Sequence, residues 1–172
     1  YRLKDIGRYE MNKENKLNTF SQLEYKRPDF EETKKFYTRL NERLKNANSF
    51  EEVDACIKED ERYSSTLSTM MTIVEIRHTI DTSDSFYEQE DEYIHQNYPT
   101  ALSFMQAFNL SLLTSPYRQQ IDEKYGAHFL RALQLSVDSF CEKNVPLMQE
   151  ESELTNRYQR LIASCKIPFE NE

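Results

Sequence analysis

Apolar residues recur every three or four positions along most of this chain, which predicts a succession of amphipathic helices. The first predicted helix begins after Asp29, and Pro28 lies just before its first turn, where proline is tolerated. Charged residues occupy the intervening positions. The predicted buried face of this helix comprises Phe30, Thr33, Tyr37, Leu40, Leu44 and Ala47.

A second helix is predicted to restart at Ser49 and to run to about Ile80. Ser49 is the expected N-cap, and Glu52 three residues later completes a capping box. The early part of the helix has one apolar stripe. Ile73, Ile76 and Ile80 then add a second side, which predicts that the end of the helix is buried nearly all round.

Residues 81–84 are rich in capping side chains and predict a turn, followed by a third helix from about Asp84. We expect Pro99 to kink or restart this helix, because proline lacks a backbone donor. Ser115 and Pro116 predict the start of a short helix that ends at Gly126.

Two further helices are predicted before the C-terminus, which makes six or seven in all. Residues 166–172 alternate between apolar and polar and indicate a possible strand that has lost its partner. Residues 1–18 are expected to be an N-terminal extension or an added leader. The expected helical domain therefore covers residues 19–172.

Composition supports an all-α fold, since 172 residues include only 2 glycines and 30% charged residues. The net charge of −8 disfavours a nucleic-acid partner, and no apolar run is long enough to span a membrane. Cys56, Cys141 and Cys165 lie far apart, which favours free, buried thiols and a reducing, cytoplasmic location.

Two Glu-x-x-His pairs suggest metal chemistry, because residues three apart lie on one helix face. The pairs are Glu75 with His78 and Glu92 with His95. A di-iron site would need them to meet inside a helical bundle with further inward-facing glutamates. The sequence shows no obvious further glutamate of this kind, so chance occurrence is the favoured interpretation.

Arg77, His78 and Asp81 predict a polar corner between the second and third helices. Arg77 and Asp81 are four residues apart, so a helix would let them pair. Such a pair would hold a charge in an otherwise apolar helix end, and we assign these residues a structural role.

Motifs of hydrolytic sites are absent from the sequence: it contains neither Gly-x-Ser-x-Gly nor His-Glu-x-x-His. We therefore assign no catalytic, cofactor-binding or metal-binding residue.

Five segments, spread in order over residues 19–172, together resemble the N-terminal region of oligoendopeptidase F-type zinc peptidases, of the thimet oligopeptidase-like clan. They are Thr19-Phe-Ser-Gln-Leu-Glu-Tyr-Lys-Arg-Pro-Asp-Phe30, Ala47-Asn-Ser-Phe-Glu-Glu52, Ile76-Arg-His-Thr-Ile-Asp-Thr-Ser-Asp-Ser-Phe-Tyr-Glu-Gln-Glu90, Leu113-Thr-Ser-Pro-Tyr-Arg118 and Leu161-Ile-Ala-Ser-Cys-Lys-Ile-Pro-Phe169.

The resemblance implies a helical wall over a substrate channel, with the catalytic zinc held by a separate domain that carries His-Glu-x-x-His. The implied partners are that C-terminal catalytic domain and short peptide substrates, and the chain alone is expected to be inactive and free of zinc. The alternatives are a stand-alone acidic helical interaction module and, third, a di-iron helical protein.

Overall fold

The computed structural model of the protein describes residues 19–165, which form six α-helices and no strand. The helices are α1 (Phe30–Lys45), α2 (Phe50–Ile80), α3 (Ser85–Leu113), α4 (Arg118–Tyr125), α5 (Ala127–Ser139) and α6 (Val145–Ser164). Single 3₁₀ turns occur at Phe20–Gln22 and Glu142–Asn144. The all-α prediction is confirmed. The possible strand at residues 166–172 and the leader at residues 1–18 lie outside the described residues.

Side-chain N-caps start the first two long helices, Asp29 for α1 and the predicted Ser49 for α2. Asp29 accepts hydrogen bonds from the backbone N–H groups of Glu31 (2.9 Å) and Glu32 (3.0 Å). Ser49 Oγ accepts from the N–H of Glu52 at 3.4 Å, while the Glu52 carboxylate accepts from the N–H of Asn48 at 2.8 Å. The Glu52 side chain therefore closes the capping box on Asn48, the residue before the N-cap.

The end of α2 is not buried all round, contrary to the sequence prediction. Ile73 is 2% exposed, but Ile76 is 38% and Ile80 74% exposed. Apolar residues on two sides of a helix show that it can be buried. They do not show that neighbours cover both sides, and among the described residues α2 is packed here on one side only.

Helix α3 runs without a restart through Pro99, which is buried. Side chains near the proline bond to backbone carbonyls of the same stretch of helix. Asn97 Nδ2 donates to the carbonyl of Tyr93 (2.7 Å), and Thr100 Oγ1 donates to the carbonyl of Asn97 (2.7 Å). The prediction of a restart is wrong because packing over 29 residues outweighs the loss of one backbone donor.

The short helix α4 begins at Arg118, two residues later than predicted. Ser115 Oγ instead accepts from the N–H of Tyr117 at 3.2 Å. Gly126 ends α4 as predicted, at φ +85°, a left-handed conformation that glycine adopts without strain.

The core consists of two clusters formed mainly by α1, α2 and α3. The larger lies between α1, the N-terminal half of α2 and the C-terminal end of α3, and α4 and α5 close it with Ile121 and Leu130. The smaller contains Phe30, Leu67, Val74, Ile94 and Ala101. None of the α6 residues whose side chains are described is buried.

The three cysteines are free, as predicted, but only Cys56 is buried. Cys141 and Cys165 are exposed, so the prediction of burial is wrong for these two residues. Both lie at the ends of elements, where the chain leaves the packed helices.

Candidate functional site

Arg77 joins the α2–α3 corner to the N-terminal segment, which we define as residues 19–29. Its guanidinium donates to the hydroxyl of Tyr87 and, at 2.6 Å, to the carbonyl of Leu23. The same group lies over the rings of Phe20 and Tyr87, 5.6 and 5.4 Å from their centroids. Arg77 thus connects three parts of the chain.

The prediction that Arg77 pairs with Asp81 is wrong. Asp81 Oδ1 accepts instead from the N–H (2.9 Å) and hydroxyl (2.6 Å) of Ser83. Asp81 lies past the last turn of α2, in extended backbone, so the four-residue spacing no longer brings the two side chains together. The side chain of Asp84 then caps α3 by accepting from the N–H of Phe86 at 2.9 Å.

A buried carboxylate, Glu90, anchors the same N-terminal segment to α3. Glu90 is 1% exposed, forms a bidentate ion pair with Arg27 and accepts from the hydroxyl of Tyr25 at 2.5 Å. Arg27 also lies 4.8 Å from the centroid of the Tyr93 ring. The hydroxyl of Tyr93 donates to the carbonyl of Pro28 at 3.0 Å.

The ion pair shifts the pKa values of its members in the directions that this geometry requires. The hydrogen bonds from Arg27 hold the pKa of Glu90 below its usual range, against the opposing effect of burial. Burial and the neighbouring carboxylate raise the pKa of Tyr25. Glu90 is therefore ionised at neutral pH although it is enclosed.

Sequence reasoning missed Glu90 and its partners because they are more than 60 positions apart in the chain. In the sequence, Glu90 stands out only as the last residue of the third segment that resembles the peptidases. Its spacing is the one signal of burial in the sequence. Glu90 lies three residues before Tyr93 and four before Ile94, so it shares a face of α3 with these two apolar residues.

The Glu-x-x-His pairs contribute to the surface where α6 packs on α2 and α3. Glu75, His78 and His95 line one cavity of about 320 Å³, together with Asp91. Among residues 19–165, no group of three or more His, Cys, Asp or Glu side chains is arranged to hold a metal ion. The described residues therefore do not form the di-iron arrangement.

His95 pairs with Asp91 and not with the glutamate of its own motif. Its Nδ1 lies 3.2 Å from Asp91 Oδ2 and 2.9 Å from the Asp91 carbonyl. The hydrogen bond to the Asp91 carboxylate is the main reason that the pKa of His95 is raised, and burial opposes it.

Helix α6 docks on α3 through its polar face. Gln149 donates to the carbonyl of Gln96 (2.6 Å), and Asn156 donates to Asp91 (3.2 Å). Arg160 forms ion pairs with Glu88 and Glu92 on successive turns of α3.

The apolar side chains of α6 form a stripe on its opposite face. With about 100° per residue, the polar contacts lie roughly 180° from this stripe. We call it the α6 stripe, and its members are between 55% and 63% exposed: Leu147, Leu154, Tyr158, Leu161 and Ile162. An exposed apolar stripe of this kind is typical of a surface that another protein part covers.

None of the helices within residues 19–165 combines the length and the apolar character that crossing a membrane requires.

Comparison with known proteins gives a consistent result. The sequence model described as the Peptidase M3 N-terminal domain matches residues 20–140, more than half of the chain. A search of curated proteins yields no match.

Solved structures with the same fold are peptidases. The chain is similar to PZ peptidase A with an inhibitor (32% identity, TM-score 0.85) and to a protein assigned as an oligoendopeptidase F from Bacillus anthracis str. Ames (30% identity, TM-score 0.85). A further structure assigned as oligoendopeptidase F has 28% identity and the same TM-score. Each alignment covers 90% of this chain but only 27–28% of the solved chain.

The fold and the family match agree with one another, and the chain spans about a quarter of the length of the solved relatives. The chain belongs to the M3 peptidase family and is the N-terminal region of an oligoendopeptidase F-type member.

Proposed function

We propose that this chain is the helical N-terminal part of a zinc-dependent, cytoplasmic oligoendopeptidase that hydrolyses short peptides. In this proposal it forms part of the wall of the substrate channel and does not carry the active site. The observation that carries the proposal is the match to an M3 N-terminal domain combined with coverage of only 27–28% of the solved relatives.

The residues of this chain do not fit a catalytic zinc site. The sequence has three histidines, His78, His95 and His128, and none belongs to a His-Glu-x-x-His motif. The described residues also contain no suitable grouping of ligands. The zinc would therefore be held by another part of the parent protein, where it would activate water for peptide hydrolysis.

The α6 stripe supports a partner of apolar character for this domain. A helix that docks by polar contacts and exposes its apolar residues has its amphipathy reversed relative to the rest of the fold. We propose that the catalytic part of the parent protein covers this stripe. Residues of the chain would then act by position, enclosing the substrate and excluding water, without a chemical step of their own.

The direct test begins with the reading frame beyond Glu172, where a His-Glu-x-x-His motif and a downstream glutamate are expected. Both the 172-residue chain and the full parent protein would then be assayed with a quenched fluorescent peptide of about eight residues, and zinc would be measured by mass spectrometry. We expect hydrolysis and about one zinc per molecule only for the parent. Hydrolysis or stoichiometric zinc in the 172-residue chain would contradict the proposal.

The role of the α6 stripe needs a matched variant in the parent. Leu161→Ser removes an apolar side chain from the stripe that is 62% exposed, and Leu135→Ser removes a leucine of α5 that is 52% exposed. We expect Leu161→Ser to lower the thermal stability and the activity of the parent more than Leu135→Ser does. Equal effects of the two variants would show that the catalytic part does not cover the stripe. If the reading frame encodes no catalytic domain, a stand-alone interaction module is favoured.

A further inference from the structure

Helix α6 is attached to the rest of the protein in a way that differs from every other long helix described. Helix α1 buries six residues, among them Phe30, Tyr37 and Leu40, which are at most 2% exposed. None of the described α6 side chains reaches that degree of burial. Burial of apolar area is the main source of stability in a packed helix, and this contribution is small in α6, where apolar residues such as Val145 and Met148 are at most partly buried.

The ion pairs that hold α6 are accessible to solvent. The side chain of Arg160 is 39% exposed, and its partners Glu88 and Glu92 are 33% and 43% exposed. Exposed ion pairs contribute little, because water and salt screen them. The remaining bonds come from Gln149 and Asn156, one at each of two turns of the helix.

The interface beneath α6 is also poorly filled. Cavities of about 270, 320 and 230 Å³, each partly open to solvent, lie along it and are lined mainly by polar side chains of α2, α3 and α6. Native interiors contain few voids larger than a water molecule. This surface is therefore closer to a wet contact than to a core.

Unpaired polar atoms are concentrated at the same interface. Within residues 19–165, three buried side-chain N or O atoms lack a hydrogen-bond partner, and two of them are His78 Nδ1 and Arg160 Nε. Both residues line the 230 Å³ cavity. Arg160 Nε lies 3.1 Å from a Glu88 oxygen, which is near enough for an ion pair but without hydrogen-bond alignment.

The link between α5 and α6 can allow movement. Residues 140–144 contain one 3₁₀ turn, and none of them is buried. The family match, residues 20–140, ends before α6, so the matched unit already contains both core clusters.

We infer that α6 undocks from α3 as a unit while α1–α5 remain folded, and that the ion pairs of Arg160 control this opening. The docked position is held by screened charges over a loosely filled polar interface, and the apolar residues of α6 that face the domain, Val145 and Met148, are only partly buried. Undocking separates the polar face of α6 from α3 and widens the three cavities, which are already partly open to solvent. A partner that binds the stripe can therefore change the position of α6 without unfolding the domain.

Hydrogen exchange of the 172-residue chain, followed by mass spectrometry or NMR, tests the inference. We expect central amides of α6 to show protection at least about 100-fold lower than central amides of α1, which lies in the same sample and serves as an internal reference. Raising NaCl to about 1 M, where the Debye length is roughly 3 Å, should lower α6 protection further and leave α1 nearly unchanged.

A second experiment compares Arg160→Met with Arg157→Met as the matched control. It tests whether the ion pairs of Arg160 control the opening. Both arginines lie on α6 and line the same cavity, but the ion pairs to Glu88 and Glu92 are formed by Arg160. We expect about fivefold faster α6 exchange in Arg160→Met than in Arg157→Met, with α1 protection equal in both. Equal protection of α6 and α1 would overturn independent undocking, and equal effects of the two variants would overturn control by Arg160.

Discussion

Replacing Arg27 with methionine leaves the Glu90 carboxylate buried without its cation. Breaking a buried ion pair in this way costs about 3 to 5 kcal/mol. Glu90 is 1% exposed but the Arg27 side chain is 54% exposed, so water screens part of the pair. We therefore expect a loss of roughly 2 to 3 kcal/mol in the free energy of unfolding. The hydroxyl of Tyr25 still donates to Glu90 and limits the loss.

The pH dependence of this loss distinguishes an electrostatic effect from a packing defect. In the wild type the pKa of Glu90 is lowered, so its contribution is complete above the unfolded pKa and is lost as pH falls through the folded value. In Arg27→Met the buried carboxylate has no cation, so acid relieves its cost. The stability difference between the two proteins should therefore shrink as pH falls from about 7 towards about 4.

Urea unfolding followed by circular dichroism at about pH 7 and about pH 4 measures the stability loss and its pH dependence. Arg39→Met is the control, because Arg39 is 66% exposed and lies 4.0 Å from Glu59; its effect should stay within about 0.5 kcal/mol. Adding Glu90→Gln to Arg27→Met should restore most of the lost stability by removing the buried charge. A loss below about 1 kcal/mol, or a loss that is the same at both pH values, would refute the reasoning.

Three further predictions concern single side chains. Arg77→Ala should lower the free energy of unfolding by about 1 to 3 kcal/mol, since it removes one hydrogen bond to Tyr87 in α3 and one to Leu23 in the N-terminal segment; an unchanged melting temperature would count against this. Asp60→Asn should stabilise the protein by about 1 kcal/mol at neutral pH. Burial raises the pKa of Asp60 in the folded protein, so the wild type loses stability as pH rises from the pKa of the unfolded state to that of the folded state. An asparagine at this position can still accept a hydrogen bond from the Tyr37 hydroxyl, which lies 2.7 Å from Asp60 Oδ1. The stability gain of Asp60→Asn should vanish below about pH 3.5. Denaturant unfolding of both proteins at neutral pH and below about pH 3.5 measures this, and an equal gain at the two pH values would contradict the prediction. Because Asp91 raises the pKa of His95, with Glu75 acting in the same direction, their interaction should stabilise the fold fully below the unfolded pKa and be lost as pH rises through the folded value. An NMR titration that places the His95 pKa at or below that of an unfolded peptide would exclude this contribution.

Local pattern was sufficient to predict most of the helices. Ser49 caps the helix that it was expected to cap, the first helix begins after Asp29 as predicted, and Gly126 ends the short helix. These features act over a few residues, through capping bonds and backbone conformation, so a sequence contains them almost completely. The resemblance in five ordered segments also sufficed to identify the family, which the later comparison confirmed.

Partners across the fold could not be read in the same way. The four-residue spacing of Arg77 and Asp81 favoured a local pair, yet the end of α2 intervenes and Arg77 bonds to Tyr87 and Leu23. The pairing of Glu90 with Arg27 depends on an extended segment lying against α3, and no local rule indicates it.

The sequence by itself determined the helices, their order and the amphipathic character of α6, because these depend on propensity and periodicity within one segment. Only the tertiary structure decided which face of each helix is covered. The apolar pattern of Ile76, Ile80 and the α6 stripe predicts burial, but these side chains are exposed among the described residues, while the charged Glu90 is enclosed. The physical reason is that burial depends on the neighbours that a side chain meets in three dimensions, and a carboxylate can be enclosed when an arginine and a tyrosine reach it from a distant part of the chain.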